Sequence, residues 1–334
     1  MRHFVVVGIL IIVLSVLAYV GLQASHLMPV QASAQSVPID WLWNIELMTI
    51  SFLFALIIVP MGYSLVVFRR RKGDLTDAQH IEGNTNLEIT WTILPLFIVM
   101  AFAYLGAGNL AEIRRVDPNA MVVKVTAQQW SWSFEYPAYG VTTTELHIPN
   151  GKQILLQMTS RDVIHSFWVP EFRPKQDVVP GRITELRITP TLIGSYKVRC
   201  AELCGTSHAY MESPVIVSAQ SDFDSWMAEQ VRLAAVAAAT PEGRGQALVT
   251  ANGCAACHSI NGAAGIGPTW FGLFGSQVKL TDGSVVPADE GYIHESIKTP
   301  QAKIVAGFET QLMPTYGFPD DKINDIVAYI KTLK

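Results

Sequence analysis

Cysteine is scarce: four residues among 334, Cys200, Cys204, Cys254 and Cys257, arranged as two close pairs. A scaffold held by many disulfides is excluded, and each pair is left as a short disulfide, a metal site or a cofactor attachment, to be decided by its neighbours. Charge is scarce too, at 16% of residues with a formal net charge of -4. Nothing in the composition points to a nucleic-acid partner or an acidic ligand. Disorder is excluded, because half of the residues are hydrophobic and 10% aromatic, enough to build cores. The positive mean hydropathy of +0.28 and the length together imply two or three domains plus membrane spans.

Arg2 and His3 precede an apolar stretch, Phe4 to Val20, that leads towards Ala32-Ser33-Ala34, small residues of the kind found before a signal-peptidase cut. Residues 1–34 read as a signal peptide, with an uncleaved first span as the alternative because the gap to the small residues is long. Leu47 to Phe68 carries no charge and ends at Arg69, Arg70, Arg71 and Lys72; Ile89 to Leu110 is a second such run. Each is long enough to cross the hydrocarbon core as a helix, which favours a two-helix anchor over residues 40–110 rather than a hairpin buried in a soluble core. The basic cluster marks the connecting loop as cytoplasmic, although Arg114 and Arg115 reduce the contrast. Everything after residue 111 is then outside the cytoplasm.

From Met121 to about Val217, short runs of Val, Ile, Thr and aromatics are broken by Pro137, Asn150-Gly151, Pro180-Gly181, Pro190 and Gly194. This predicts a β-sandwich or barrel over residues 111–220. Trp130, Trp132, Phe134 and Tyr136 alternate, so one strand would turn all four to one face. The same region holds Cys200-Ala-Glu202-Leu-Cys204-Gly-Thr-Ser-His208-Ala-Tyr-Met211, with His165 upstream. Two thiols, two imidazoles and a thioether are a soft ligand set that suits copper over magnesium or calcium. Zinc is the competing metal, but its closed four-ligand sites give Met211 no role, whereas thioether sulfur is a weak axial ligand of copper. A Cys200–Cys204 disulfide is the remaining alternative and says nothing about His208 or Met211.

At these residues the sequence closely resembles subunit II of the cytochrome c oxidases, over roughly residues 40 to 218, including Leu87-Glu88-Ile-Thr-Trp91 and Gln129-Trp130-Ser-Trp132. The resemblance implies a cupredoxin-like domain with a binuclear, mixed-valence CuA centre. Cys200 and Cys204 would bridge two coppers, His165 and His208 would each cap one, and Met211 and the Glu202 backbone carbonyl would complete the sites. It also implies a magnesium ion reached by the Glu202 carboxylate at the boundary with subunit I, a proton path opening at Glu88, and an electron route near Trp130. Read alone, Glu88 is a carboxylate at a helix entrance, where negative charge suits the N-terminal dipole. Trp132 reads as a packing residue.

Ser221 to Ala239 is Ala-rich and suits a helical linker, 221–240, and Thr240-Pro241 opens a new domain over 241–334. That domain contains Cys254-Ala-Ala-Cys257-His258, the pattern for a covalent c-type haem held by two thioethers, with the histidine as proximal iron ligand. Gly265-Ile-Gly-Pro268, Gln311-Leu-Met313-Pro314 and a helically spaced stretch from Asp321 to Leu333 follow. The order resembles small class I cytochromes c. This implies an all-α domain, Met313 as the distal ligand, a choice that raises the haem potential and suits electron transfer, and a Pro268 carbonyl that orients His258. A core methionine is the alternative for Met313, and His294 is a rival ligand whose commoner explanation is a helix-surface histidine. His3, His26, His80 and His147 have no companion ligands at useful spacing.

The fold class expected is a multidomain membrane protein: a transmembrane α-helical hairpin, a cupredoxin-like β-barrel or sandwich, and an all-α cytochrome c domain. The joint pattern resembles subunit II of the cytochrome c-fused haem-copper oxidases. It implies electron entry at the haem from cytochrome c or a donor complex, transfer to CuA and then to subunit I, where oxygen is reduced with proton pumping. The implied partners are subunit I and other oxidase subunits. The implied location is the bacterial inner membrane, with both cofactor domains on its extracytoplasmic side. A quinol oxidase subunit would share the anchor and β domain but lack the copper ligands, whose six positions are all present. A stand-alone electron carrier, a nitrogen-oxide reductase component and a copper-delivery protein are the other hypotheses, and the fused haem counts against the last.

Overall fold

The computed structural model describes residues 1–70, 72–74, 76–77, 80–310 and 313–334. Two compact units are formed, Met1–Gln31 with Gln35–Arg115, and Ala32–Ala34 with Val116–Lys334. The first consists of α1 (Arg2–Ala24), α2 (Ser36–Val67) and α3 (Thr85–Ile113). All three are long and apolar enough to cross a membrane. A helix satisfies its own backbone, so apolar side chains around its whole circumference can face lipid.

Helix α2 begins well before the charge-free run at Leu47, because Asp40, Asn44 and Glu46 are compatible with helix; Asn44 Nδ2 donates back to the Asp40 carbonyl at 2.9 Å. Apolarity measures the lipid-facing length, whereas hydrogen bonding sets the helix length. Helix α1 packs on α2 where Ser51 and Ala55 are buried, small residues that permit close approach. Polar pairs fasten both ends: His3 Nδ1 with Tyr63 Oη at 2.7 Å, and Gln23 Nε2 donating to Asn44 Oδ1 at 2.7 Å. Asn84 caps α3, its Oδ1 accepting from the Leu87 N–H at 3.2 Å while Glu88 Oε1 accepts from the Asn84 N–H at 3.3 Å. Of the basic cluster, Arg71 lies outside the described residues.

The second unit opens with ten strands: β1 (Met121–Gln128), β2 (Ser131–Tyr136), β3 (Val141–Thr143), β4 (Leu146–Pro149), β5 (Ile154–Ser160), β6 (His165–Trp168), β7 (Lys175–Val178), β8 (Thr184–Ile188), β9 (Gly194–Cys200) and β10 (Glu212–Ser218). They make two five-stranded sheets, β3-β2-β1-β5-β8 and β4-β10-β9-β6-β7, with β1–β5 and β4–β10 paired in parallel. Period-two alternation buries Met121, Val123, Val125 and Ala127 of β1 against Ile154, Leu156 and Met158 of β5 in one core. Trp132, Phe134 and Tyr136 share the inward face, but Trp130 precedes β2 and only flanks the core. Ala32–Ala34 joins this domain: Ala32 and Ser33 are fully buried, Ala32 N–H donates to Glu171 O at 3.0 Å, and Ala34 N–H to Thr189 O at 2.9 Å.

Helix α4 (Gln220–Ala238) lays Phe223 and Met227 on the β domain, with Trp226 stacked on His147 at 3.8 Å and 4°. Thr240 then caps α5 (Pro241–Ala251), its hydroxyl accepting from the Gly243 N–H at 3.1 Å, with Pro241 in the first turn. A short hairpin, β11 (Gln277–Lys279) with β12 (Val285–Pro287), precedes α6 (Glu290–Lys298) and α7 (Asp320–Ile330). Helices α5 and α7 cross so closely that a Cβ on Gly245 would sit 1.9 Å from Asp325 O. Arg244 grips the Asp325 carboxylate with two bonds of 2.9 and 2.8 Å at the same crossing.

Candidate functional site

Strand β6 begins at His165 and β9 ends at Cys200, neighbours in one sheet. The loop after Cys200 returns to Met211, where the Cys200 N–H donates to Met211 O at 3.1 Å. That closure brings the donor atoms together. Cys200 Sγ is 3.7 Å from Cys204 Sγ and 3.8 Å from His165 Nδ1, while Cys204 Sγ is 3.5 Å from His208 Nδ1 and 3.8 Å from Met211 Sδ. The Cys200 thiol also meets the Glu202 carbonyl at 3.2 Å, and the Glu202 side chain is on an exposed residue.

All four cysteines are free, and the 3.7 Å between Cys200 and Cys204 far exceeds the roughly 2.05 Å of a disulfide. His165, Cys200 and Cys204 form a group whose ligand atoms lie within 4.8 Å of one another. The donors are soft and buried, so the site fits a copper group.

The charges are arranged accordingly. Burial works against the Cys200 thiolate, but hydrogen bonds from His165 and nearby backbone groups outweigh it and lower the thiol. Cys204 is pushed up by burial and by the neighbouring Cys200 charge. Burial also works against protonated His165, yet its bonds to Asp162 and Cys200 prevail and raise it to about 9. Without metal the cluster is an imidazolium–thiolate pair beside a neutral thiol, and a metal must displace those protons.

Asp162 has a role that sequence reasoning missed. Its carboxylate pairs with His165 Nε2 at 2.8 Å and accepts the Gln129 N–H at 2.7 Å. This fixes the ring so that Nδ1 faces the thiols. A carboxylate three residues before a candidate ligand is the only trace of this in the sequence. Gln129 Nε2 donates to Cys204 O at 2.7 Å, and Trp132 Nε1 to Met211 O at 3.4 Å, so Trp132 packs and also braces the ligand loop. Trp130 borders that loop at Gly205, where a Cβ would stand 3.1 Å from the indole.

In the C-terminal domain Cys254 opens a short 3-10 turn and His258 follows, its N–H donating to Cys254 O at 3.0 Å. Burial lowers His258 against the opposing Pro268 bond, which keeps the imidazole neutral. Nδ1 pairs with Pro268 O at 2.8 Å, leaving Nε2 as the free acceptor. The ring stacks on Trp270 at 4.7 Å, and Gly267 must be small because a Cβ there would touch the imidazole at 3.0 Å. A cavity of about 430 Å³ is lined by His258, Trp270, Tyr292, Ile293, Met313 and Ile330 among others. An apolar cleft with one neutral imidazole and one thioether fits a haem. His294 is absent from this lining and lies 3.6 Å from Asp320. Gln311 and Leu312 lie outside the described residues.

Three family models match in succession: cytochrome c oxidase subunit II, transmembrane domain, at residues 21–106; cytochrome c oxidase subunit II, periplasmic domain, at 141–220; and cytochrome c at 243–334. Cytochrome c oxidase subunit 2 of Synechocystis sp. is 34% identical over 271 residues, covering 66% of this chain and 80% of that protein. The chain belongs to the cytochrome c oxidase subunit II family. Cytochrome c oxidase subunit 2 of Alkalihalophilus pseudofirmus is 28% identical over 306 residues, 88% of each chain. Quinol oxidase subunit 2 of Bacillus spizizenii is 29% identical over 184 residues, 53% of this chain and 57% of that protein. Subunit II is a membrane protein and a component of an oxidoreductase complex with partner subunits, here with a cytochrome c domain at its C-terminal end. Its β domain belongs to a copper family and its last domain to a haem family.

Proposed function

We propose that this subunit II is the electron-entry point of a proton-pumping cytochrome c oxidase, with a binuclear CuA centre and one covalent haem c. The convergence of two thiols, two imidazoles and a thioether, each within 3.8 Å of a neighbouring donor, supports this reading over a copper-free quinol oxidase subunit. Cys200 and Cys204 would bridge two coppers, His165 and His208 cap them, and Met211 and the Glu202 carbonyl complete the sites. Cys254 and Cys257 would anchor the haem, and His258 and Met313 would hold its iron. Bound there, the two groups supply one-electron relays between a donor such as cytochrome c and subunit I, where oxygen is reduced.

The chain's own residues prepare these sites. Asp162 holds the Nε2 proton of His165 and the Pro268 carbonyl the Nδ1 proton of His258, so each imidazole turns its other nitrogen to the metal. Burial of Cys200, Cys204 and Met211 excludes water and limits rearrangement when charge changes. Trp130 flanks the loop on the electron route. The exposed Glu202 carboxylate would take magnesium at the boundary with subunit I, and Glu88, which caps α3, would open a proton path.

Residues 40–110 act as the anchor, 111–220 as the CuA domain, 221–240 as the helical linker and 241–334 as the haem domain. The basic loop faces the cytoplasm of a bacterial cell and both cofactor domains face outward. In the assembled complex, Cys204→Ser should leave the haem attached and reducible while abolishing oxygen uptake. Oxygen uptake at the wild-type rate would overturn the order of the relay.

A further inference from the structure

We infer that Gln128, Arg161 and Asn252 form a latch that clamps the haem-attachment turn onto the copper domain, so that the two candidate redox sites keep a fixed spacing. The purpose of the latch rests on the function proposed above, and its geometry does not. Strands β1 and β5 run side by side in parallel to the pair Ala127 and Ser160. Each then ends in two polar residues, Gln128-Gln129 and Arg161-Asp162. The second of each pair serves the copper-ligand cluster: Gln129 Nε2 bonds Cys204 O at 2.7 Å and Asp162 bonds His165 at 2.8 Å. The first of each pair turns to Asn252, with Gln128 Nε2 donating to its backbone carbonyl and Arg161 Nη1 to its side-chain oxygen.

Arg161 Nη1 also donates to Gln128 Oε1 at 3.2 Å, which closes the triangle. Asn252 is tied to α5 through Nδ2 and Leu248 O at 2.7 Å, and it stands two residues before Cys254. Tyr316, from the segment just after Met313, lies beside Gln128. The approach is tight: Gly253 has a φ of +63°, and a Cβ there would fall 2.0 Å from Ser131 Oγ. Gln128 and Asn252 are each only 8% exposed, so separation would strand buried polar atoms unless water replaced every bond. None of the three is a candidate ligand. They are positioning residues.

The test is amide hydrogen exchange on the full chain in detergent, comparing wild type with Arg161→Met, Arg161→Lys and Gln128→Leu. Arg161 lies on the surface, and methionine keeps much of its aliphatic stem, so the fold is not at stake. Loss of the charge-assisted bonds should speed exchange at residues 125–131 and 248–254 roughly tenfold or more, with α6, α7 and β9 unaffected and Arg161→Lys restoring much of the protection. Equal exchange in wild type, Arg161→Met and Gln128→Leu would overturn the latch, as would acceleration spread over the whole unit. Visible and paramagnetic resonance spectra of the same samples report the cofactors separately: missing copper or haem would count against the proposed function, while the exchange data still decide the latch.

Discussion

Replacing Asp162 with alanine would remove the group that fixes His165. The carboxylate pairs with His165 Nε2 at 2.8 Å and accepts the N–H groups of Gln129 and Val163, each at 2.7 Å. His165 is completely buried, so in the wild type the carboxylate and not solvent serves Nε2. Groups that orient a metal-bound histidine typically contribute 10–100-fold in affinity, about 1.4–2.7 kcal/mol, in line with the roughly 1.5–3 kcal/mol of a hydrogen bond to a charged group.

A second signature follows from protonation. In the metal-free wild type His165 is raised to about 9, so copper must displace its proton at neutral pH, and affinity climbs as pH rises towards that value. In Asp162→Ala the carboxylate's share of that upward shift is lost, so His165 gives up its proton more readily and its contribution to the pH dependence weakens. Copper titration of the full chain against a competing chelator, at about pH 7 and about pH 9, measures both effects. Asp162→Asn, which keeps one acceptor oxygen, should lie between the two. Wild-type affinity and wild-type pH slope in Asp162→Ala would show that Asp162 does not position His165.

Met313→Ala should leave the haem covalently bound but lower its potential and change the visible spectrum, because a thioether ligand stabilises the reduced iron; a redox titration identical to wild type would place the methionine outside the iron's reach. Gly245→Ala puts a methyl group 1.9 Å from Asp325 O and should destabilise the C-terminal domain by about 1–3 kcal/mol, read from chemical denaturation followed by haem absorbance; an unchanged midpoint would contradict the tight α5–α7 crossing. Ala32 is fully buried and shares backbone bonds with residues 171 and 191, and Ala34 with residue 189, so removal of residues 1–34 would strip a strand-like edge from the β domain. Intact mass of the purified subunit should therefore show an N-terminus ahead of Ala32, and one at Gln35 would count against this.

The ligand loop was legible because Cys200, Cys204, His208 and Met211 fall within a single turn of chain, where residue type and spacing carry the chemistry. His165 is farther off in sequence and becomes a neighbour only through the β6–β9 pairing. Asp162 was invisible as a partner, since a carboxylate near a histidine is ordinary on any surface until strand geometry turns the two together. The alternation from Trp130 to Tyr136 misplaced Trp130, because the period holds only inside a strand and β2 starts at Ser131. Ala32-Ser33-Ala34 is ambiguous for a physical reason: small residues suit both a peptidase cleft and a tightly packed β edge. The Arg161–Asn252 contact spans 91 residues and two domains, beyond the reach of any local pattern.

On this reading one chain carries both a binuclear copper centre and a covalent haem. Copper and haem analysis of the purified full chain, with its paramagnetic resonance spectrum, tests that directly. Two coppers and one haem per chain are expected, with a hyperfine pattern from one unpaired electron shared equally over two copper nuclei. A single copper with a mononuclear signal, or a Cys200–Cys204 disulfide in the copper-loaded protein, would contradict it.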